Sequence, residues 1–482
     1  MKWTPLITGL ALIAVAVPAA PAAATGQVTQ AVSATGTDTI DWRACGEEPG
    51  AECGALAVPV DWAKPDGPRI SLNMTRRKAT GQRVGTLFYN PGGPGTGAAY
   101  LVRNWSQYYF SEELRERFDI VGIDPRGVAG SGQIQCGKAV HDPAVTQFPE
   151  TRWEYDRLVA HNRAVGVSCG PLIGHVDTGS VARDFDAVRA ALGEEQISYL
   201  GRSYGSMLGT EYARRFPDRV RAMALDGIVD HGMGSRQMVR DAAAAVEDGF
   251  DRFGEWCERT KECELHGRSV PQVWDALMRK AEKTPIPVTG GRPLTADEMR
   301  YVAYAMLTLA PDFNGDLARG IVQAEEGDAE IFGQMRTEAL DNSAMTSAYR
   351  AVLCQDIDPG INGFPQLRAW ARDAARRAPH MRGTSEFWDM TTGCLGWPVQ
   401  PSNPQRPVRI TQVPPVLLVG NTHDPATPLV WAKSLARGIK GSQVLTYDGD
   451  GHTAYLRNAC ATGSVDRYLI SGTLPVPGTV CR

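Results

Sequence analysis

The chain has 482 residues, 50 basic and 54 acidic side chains, and a formal net charge of −4. With no basic run along its length, that balance argues against a nucleic-acid partner. Its ten cysteines include no CxxC pair and do not cluster with histidines, so a disulfide framework in an oxidising compartment is expected, with no metal site and no cofactor.

In chain order, residues 1–24 carry one charge, Lys2, then an apolar stretch from Leu6 to Val17 and the run Ala22-Ala23-Ala24. This is the pattern of a secretory signal peptide, too short to span a bilayer, with cleavage expected after Ala24. No cysteine lies near that site, which argues against a lipid anchor. Residues 25–39 are small and polar and read as a flexible leader or pro-segment. No later run approaches membrane-spanning length, so a secreted, extracellular protein without membrane attachment after cleavage is expected, and a monomer.

From residue 40 to 230, short strand candidates alternate with helical stretches: Ala55–Val60, Ile70–Arg76, Thr86–Tyr89, Ile120–Ile123, Ile197–Leu200 and Ala222–Leu225. The alternation predicts a mostly parallel sheet covered by helices. Thr86–Tyr89 leads into Asn90-Pro91-Gly92-Gly93-Pro94-Gly95, a loop of bare backbone suited to donating N–H groups to a developing oxyanion. Ile197–Leu200 leads into Gly201-Arg202-Ser203-Tyr204-Gly205, a strand turning sharply into a helix with Ser203 at its apex. The oxyanion donors expected are the N–H of Tyr204 and a glycine of the earlier loop, Gly93 ahead of Gly92.

Residues 231–409 are helix-rich, with amphipathic stretches at Met238–Phe253 and Met299–Leu309 and five tryptophans, most of them expected in the insertion's own core. The strand pattern resumes at Val416–Gly420, which empties into Asn421-Thr422-His423-Asp424-Pro425. After one intervening helix, Gln443–Tyr447 ends in Asp448-Gly449-Asp450-Gly451-His452. An acid after one strand and a histidine after the next give the order Ser203, Asp424, His452, which is that of α/β-hydrolases. His423 adjoins the acid and points away from it, while Asp448 and Asp450 are too close in sequence to His452 to meet its far nitrogen. Thr427 has two compatible roles open to it, hydrogen-bonding the Asp424 carboxylate and capping the helix beginning near Leu429. The expected organisation is therefore a core in two parts, 40–230 and 410–482, with a helical cap at 231–409 inserted before the strand that bears the acid.

These motifs resemble those of the secreted tripeptidyl aminopeptidases, α/β-hydrolases related to the prolyl aminopeptidases. Asn90-Pro91-Gly92-Gly93-Pro94-Gly95 is similar to the HGGPG loop of the prolyl enzymes, with Pro91 where they carry histidine. Asp124-Pro125-Arg126-Gly127, the run from Gly201 to Tyr212, Phe216-Pro217-Asp218-Arg219, Leu225-Asp226-Gly227, Asp424-Pro425-Ala426-Thr427-Pro428 and Gly451-His452 match the same group. Cys394-Leu395-Gly396-Trp397-Pro398 resembles the segment joining its cap to the C-terminal core. The resemblance implies release of short peptides, commonly tripeptides, from free N-termini of peptides or proteins, with proline accepted at the cut. A secreted esterase or amide hydrolase with the same triad is the alternative.

Binding a free N-terminus requires a carboxylate at a fixed distance from Ser203. Glu325, Glu326, Asp226 and Asp230 are candidates, and the sequence does not choose among them. Ten cysteines allow 945 connectivities, so the pairing is not deducible; short loops suggest Cys45–Cys53 and Cys257–Cys263, with Cys460–Cys481 tying down the C-terminus, and Cys136–Cys169 and Cys354–Cys394 are further suggestions with less behind them.

Overall fold

Apolar runs flanked by turn residues form ten strands: β1 (Arg43–Ala44), β2 (Ala51–Pro59), β3 (Arg69–Arg77), β4 (Gly85–Asn90), β5 (Phe118–Ile123), β6 (Ile197–Arg202), β7 (Val220–Asp226), β8 (Val416–His423), β9 (Gln443–Asp450) and β10 (Val480–Cys481). This computed structural model describes residues 39–45, 49–341 and 343–482; the signal peptide expected at residues 1–24 and all but residue 39 of the expected leader lie outside the described residues. The strands make one sheet in the order β1-β2-β3-β5-β4-β6-β7-β8-β9-β10. Pairing is antiparallel from β1 to β5 and parallel from β5 to β10.

The parallel strands are apolar on both faces because helices cover both. Along β4 the side chains alternate: Phe88 packs on one face with Phe185, Leu208 and Trp431, while Leu87 and Tyr89 pack on the other with Val102, Val465 and Leu469. The helices Thr178–Ala191, Tyr204–Arg215 and Leu429–Gly438 form the first layer, and Ala98–Asn104 and Ala459–Ser471 the second. This is the α/β-hydrolase arrangement. Several strands run further than expected: β2 begins at Ala51 rather than Ala55, β7 spans Val220–Asp226, and β8 and β9 continue to His423 and Asp450 because pairing resumes past a register shift between Asn421 and His423.

Between β7 and β8 the chain is helical, from Ser235–Arg259 to Glu386–Gly393. These helices bury Phe250, Trp274, Phe332, Trp370 and Trp388 in a core of their own. Leu158, from the helix Arg152–Ser168 ahead of β6, joins that core. Asn162 of the same helix donates to the carbonyls of Thr392 and Leu395, both at 2.9 Å. An element from the first half of the chain thus anchors the end of the insertion, which sequence spacing does not reveal.

Arg126 shows how polar groups are held inside. All five of its N–H donors are used: two on Asp184, at 2.6 and 2.7 Å, and three on the carbonyls of Pro59, Val60 and His175. Both side chains are fully buried. The cysteines pair as Cys45–Cys53, Cys136–Cys169, Cys257–Cys263, Cys354–Cys394 and Cys460–Cys481.

Two outcomes follow from this packing. Arg126→Met strands the buried Asp184 carboxylate and is expected to cost about 3–5 kcal/mol in denaturant-induced unfolding; a loss below 1 kcal/mol would contradict it. Alkylation of the unreduced protein is expected to label no thiol, and mass spectrometry after reduction should reveal all ten.

Candidate active site

The centre of the site is a turn that only certain neighbours permit. β6 ends at Arg202 and the helix Tyr204–Arg215 begins one residue later, leaving Ser203 at φ 55° and ψ −124°. Such a conformation is costly for a residue with a side chain and persists only where the surroundings enforce it. The Ser203 N–H donates to the Asp226 carbonyl of β7 at 2.8 Å, and the Ser203 carbonyl accepts from the N–H and hydroxyl of Ser206. Glycines make room for the adjoining loop. A Cβ on Gly205 would lie 2.6 Å from the Asn90 carbonyl oxygen, and one on Gly92 would lie 2.5 Å from that of Arg202. The loop after β4 therefore rests directly against the serine turn, with Gly93 on the wall of the cavity that Ser203 faces. Tyr204 is the first helical residue, so its N–H has no carbonyl inside the helix to bond.

β8 and β9 deliver the other two groups. His452 Nδ1 lies 2.8 and 3.1 Å from the two carboxylate oxygens of Asp424. Asp424 is fixed in turn by the N–H groups of Ala426 and Thr427, at 2.8 and 2.9 Å, and by the Thr427 hydroxyl at 2.8 Å. Thr427 makes no side-chain cap to the helix Leu429–Gly438, whose cap position is Pro428. Asp226, buried beneath the turn, accepts the backbone N–H groups of Ala454 and Tyr455, and so holds the loop that carries His452. Burial opposes a charge on His452, but the Asp424 carboxylate outweighs it, with Glu386 and Asp226 adding, and raises the imidazole above its ordinary value. With Nδ1 committed to Asp424, Nε2 is the nitrogen left to exchange a proton.

Ser203 and His452 line a cavity of about 270 Å³. Its other wall comes from the inserted helices: Tyr301 and Tyr304 of Ala296–Thr308, Tyr349 of Ser343–Asp356, and Glu386 at the start of Glu386–Gly393. Tyrosines, not the insertion's tryptophans, face this space. Glu386 accepts hydrogen bonds from the hydroxyls of Tyr349 at 2.9 Å and Tyr304 at 3.2 Å. Burial pushes its carboxyl above the usual range, against the Tyr349 bond, the His452 charge and the Tyr304 bond.

The four acids named from the sequence lie elsewhere. Glu325 pairs with Arg268 at 2.8 Å, Asp230 accepts the Gly232 N–H, Asp226 serves the histidine loop, and Glu326 does not border the cavity. Among the described residues, Glu386 is the carboxylate that lines the cavity. In the structure it sits at the start of a helix, the position of an ordinary first-turn acid, and no sequence motif singled it out. Of the rival residues, His423 bonds Asp248 at 2.8 Å, Asp450 pairs with Arg252 at 2.8 Å and Asp448 with Arg482 at 3.4 Å.

The chain is 33% identical over 461 residues to a protein of Mycobacterium tuberculosis named serine protease Hip1, covering 90% of this chain and 87% of that one. It belongs to the TAP-like family of α/β-hydrolases. The family model described as TAP-like protein matches residues 380–481, the stretch that carries Glu386, Asp424 and His452. A tripeptidyl aminopeptidase of Streptomyces coelicolor is 31% identical over 473 residues, covering 92% of this chain and 86% of the relative. A protein of M. tuberculosis named carboxylesterase B is 30% identical over 463 residues, covering 89% and 86%. The TAP-like chain is accordingly a serine hydrolase.

For this TAP-like hydrolase, a fluorophosphonate is expected to label Ser203. The labelling rate should fall on acidification with a midpoint above the ordinary histidine value of about 6.5. Asp424→Asn removes the largest charge that raises His452 and leaves burial opposed only by Glu386 and Asp226. The midpoint should then fall. Labelling at a residue other than Ser203, or an unmoved midpoint, would refute the arrangement.

Proposed function

We propose that this protein is a secreted exopeptidase that releases short peptides, tripeptides foremost, from free N-termini through an acyl-enzyme. Ser203 is the nucleophile and His452 the base that takes its proton and returns it to the departing amine. Asp424 orients the imidazole and stabilises its charged form, and Thr427 holds Asp424. The N–H groups of Tyr204 and Gly93 receive the oxyanion. Residues 231–409 act as a cap that admits a chain end and excludes the middle of a folded protein.

The observation that carries this reading is Glu386. A buried carboxylate facing the catalytic cavity is costly unless a cation meets it, and the α-ammonium of a peptide supplies one. At about 270 Å³ the cavity lies at the small end of ligand pockets, about 300–1,000 Å³, which favours a few residues over a long segment. The flat walls of Tyr301, Tyr304 and Tyr349 suit a proline ring. Five disulfides favour maturation in an oxidising compartment, in keeping with the signal peptide expected at residues 1–24. No helix among the described residues is long and apolar enough to cross a membrane. The relative named carboxylesterase B keeps an esterase using the same triad as the second reading.

The two readings separate on a single pair of substrates. Ala-Pro-Ala-p-nitroanilide is expected to exceed its N-acetyl form in kcat/KM by about 100-fold or more, since acetylation leaves Glu386 unpaired. Glu386→Gln should erase most of that ratio. Activity should also fall above the α-amino pKa of about 8, because a neutral amine no longer pairs with the carboxylate. Equal rates for the free and acetylated anilides, with fast hydrolysis of p-nitrophenyl acetate, would favour the esterase.

A further inference from the structure

The catalytic cavity does not end at His452. A smaller hollow of about 70 Å³ adjoins it, bordered by His452, Arg202, Tyr109, Phe313, Asp312 and Arg457, and bordered by neither Ser203 nor Glu386. Two guanidinium groups face this hollow, against one carboxylate, that of Asp312, which lies beside Arg457.

Arg202 is the telling member. It follows the strand directly into the serine turn and lines both spaces. Its hydrogen bond goes to the Thr453 hydroxyl, and among the described residues no carboxylate lies at ion-pair distance from it. Asp226, its neighbour across β7, spends its carboxylate on the Ala454 and Tyr455 N–H groups. Beside the guanidinium, the Tyr89 hydroxyl is fully buried and lacks a well-directed hydrogen bond. Asp226 attracts the guanidinium through space only, with no ion-pair contact, so a half-buried cation beside a buried hydroxyl keeps capacity for a further anion. Arg457 completes the rim; it donates to the carbonyls of Ala310 and His452 and lies 3.5 Å from the exposed Asp312.

Given the N-terminal peptidase reading above, on which this rests, the leaving peptide must pass on the His452 side, since His452 protonates the departing amine. We propose that Arg202, with the Tyr89 hydroxyl and Arg457, receives a carboxylate of the leaving peptide. That carboxylate is the C-terminus of a short peptide or an acidic side chain just past the cut. In the first case the enzyme's substrates are oligopeptides only a residue or two longer than the peptide released.

The test compares substrates that release the same Ala-Pro-Ala, followed by mass spectrometry. One arm sets Ala-Pro-Ala-Ala as free acid against its amide; the other sets Ala-Pro-Ala-Asp-amide against Ala-Pro-Ala-Asn-amide. A charge-assisted bond to a carboxylate predicts about a 10-fold or greater advantage in kcat/KM for the charged member. An advantage in the first arm identifies the C-terminus, and one in the second arm alone identifies the side chain. Arg202→Gln should collapse the ratio towards one and Arg202→Lys should keep part of it. Each ratio is read within one enzyme preparation, so loss of folded protein does not alter it. Ratios near one in both arms for the unmodified enzyme, or ratios that survive Arg202→Gln, overturn the proposal. The p-nitroanilide pair has no carboxylate on this side, so it tests N-terminal recognition separately. Should that recognition fail, protection of Ser203 from fluorophosphonate by Ala-Ala acid against Ala-Ala-amide still decides the carboxylate site without turnover; equal protection would overturn it.

Discussion

Everything in this site is arranged around one backbone conformation, the positive φ of Ser203. A single residue cannot hold itself there, so the cost is carried by its surroundings: the β7 carbonyl that accepts its N–H, the helix that starts immediately after it, and a neighbouring loop pressed against it. That requirement fixes the position of β4 beside β6 and leaves no room for side chains at Gly92 and Gly205. It also explains the central place of β6 in the sheet. A turn under strain is best supported with paired strands on both sides.

Asp226 ties this turn to the rest of the chemistry. Its carbonyl holds Ser203 and its carboxylate holds the loop after His452, so one residue sets the relation between two groups that lie 249 positions apart in sequence (452 − 203). Around it the charges are ordered. Asp424 stabilises a proton on His452, Glu386 waits on one side, and Arg202 and Arg457 stand on the other. Arg457 leans on the exposed Asp312, while Asp424, Glu386 and Arg202 hold hydrogen bonds to neutral groups, and their burial lets a small substrate feel their field with little screening from water.

The positions of Ser203, Asp424 and His452 at strand ends were legible because such positions leave a local mark: an apolar run, an abrupt turn, a polar residue. The alternating pattern likewise carried the sheet, since strands buried on both faces read as continuous apolar runs. Glu386 left no such mark. It matters through Tyr304 and Tyr349, 82 and 37 residues away, and no local rule joins three residues on three helices. The helix Arg152–Ser168 was silent for the same reason, because its contacts with the insertion include those of Leu158 and Asn162, and the Asn162 bonds join residues more than 200 positions apart. Strand lengths were underestimated at β8 and β9, where pairing extends polar residues such as Thr422 and Asp448 beyond the apolar segment.

The five disulfides are all local, closing loops of 6 to 40 residues. Cys257–Cys263 and Cys354–Cys394 lie within the segment between β7 and β8, and the other three lie outside it. No covalent bridge among the described residues therefore crosses the seam between the two bodies of helices and sheet that enclose the cavity. The joint between them is instead noncovalent, a shared apolar core in which Phe387 packs edge-on against Trp431, with the Trp431 indole N–H bonded to Asp241. Reduction would therefore unclip loops within each part and leave the join between them untouched.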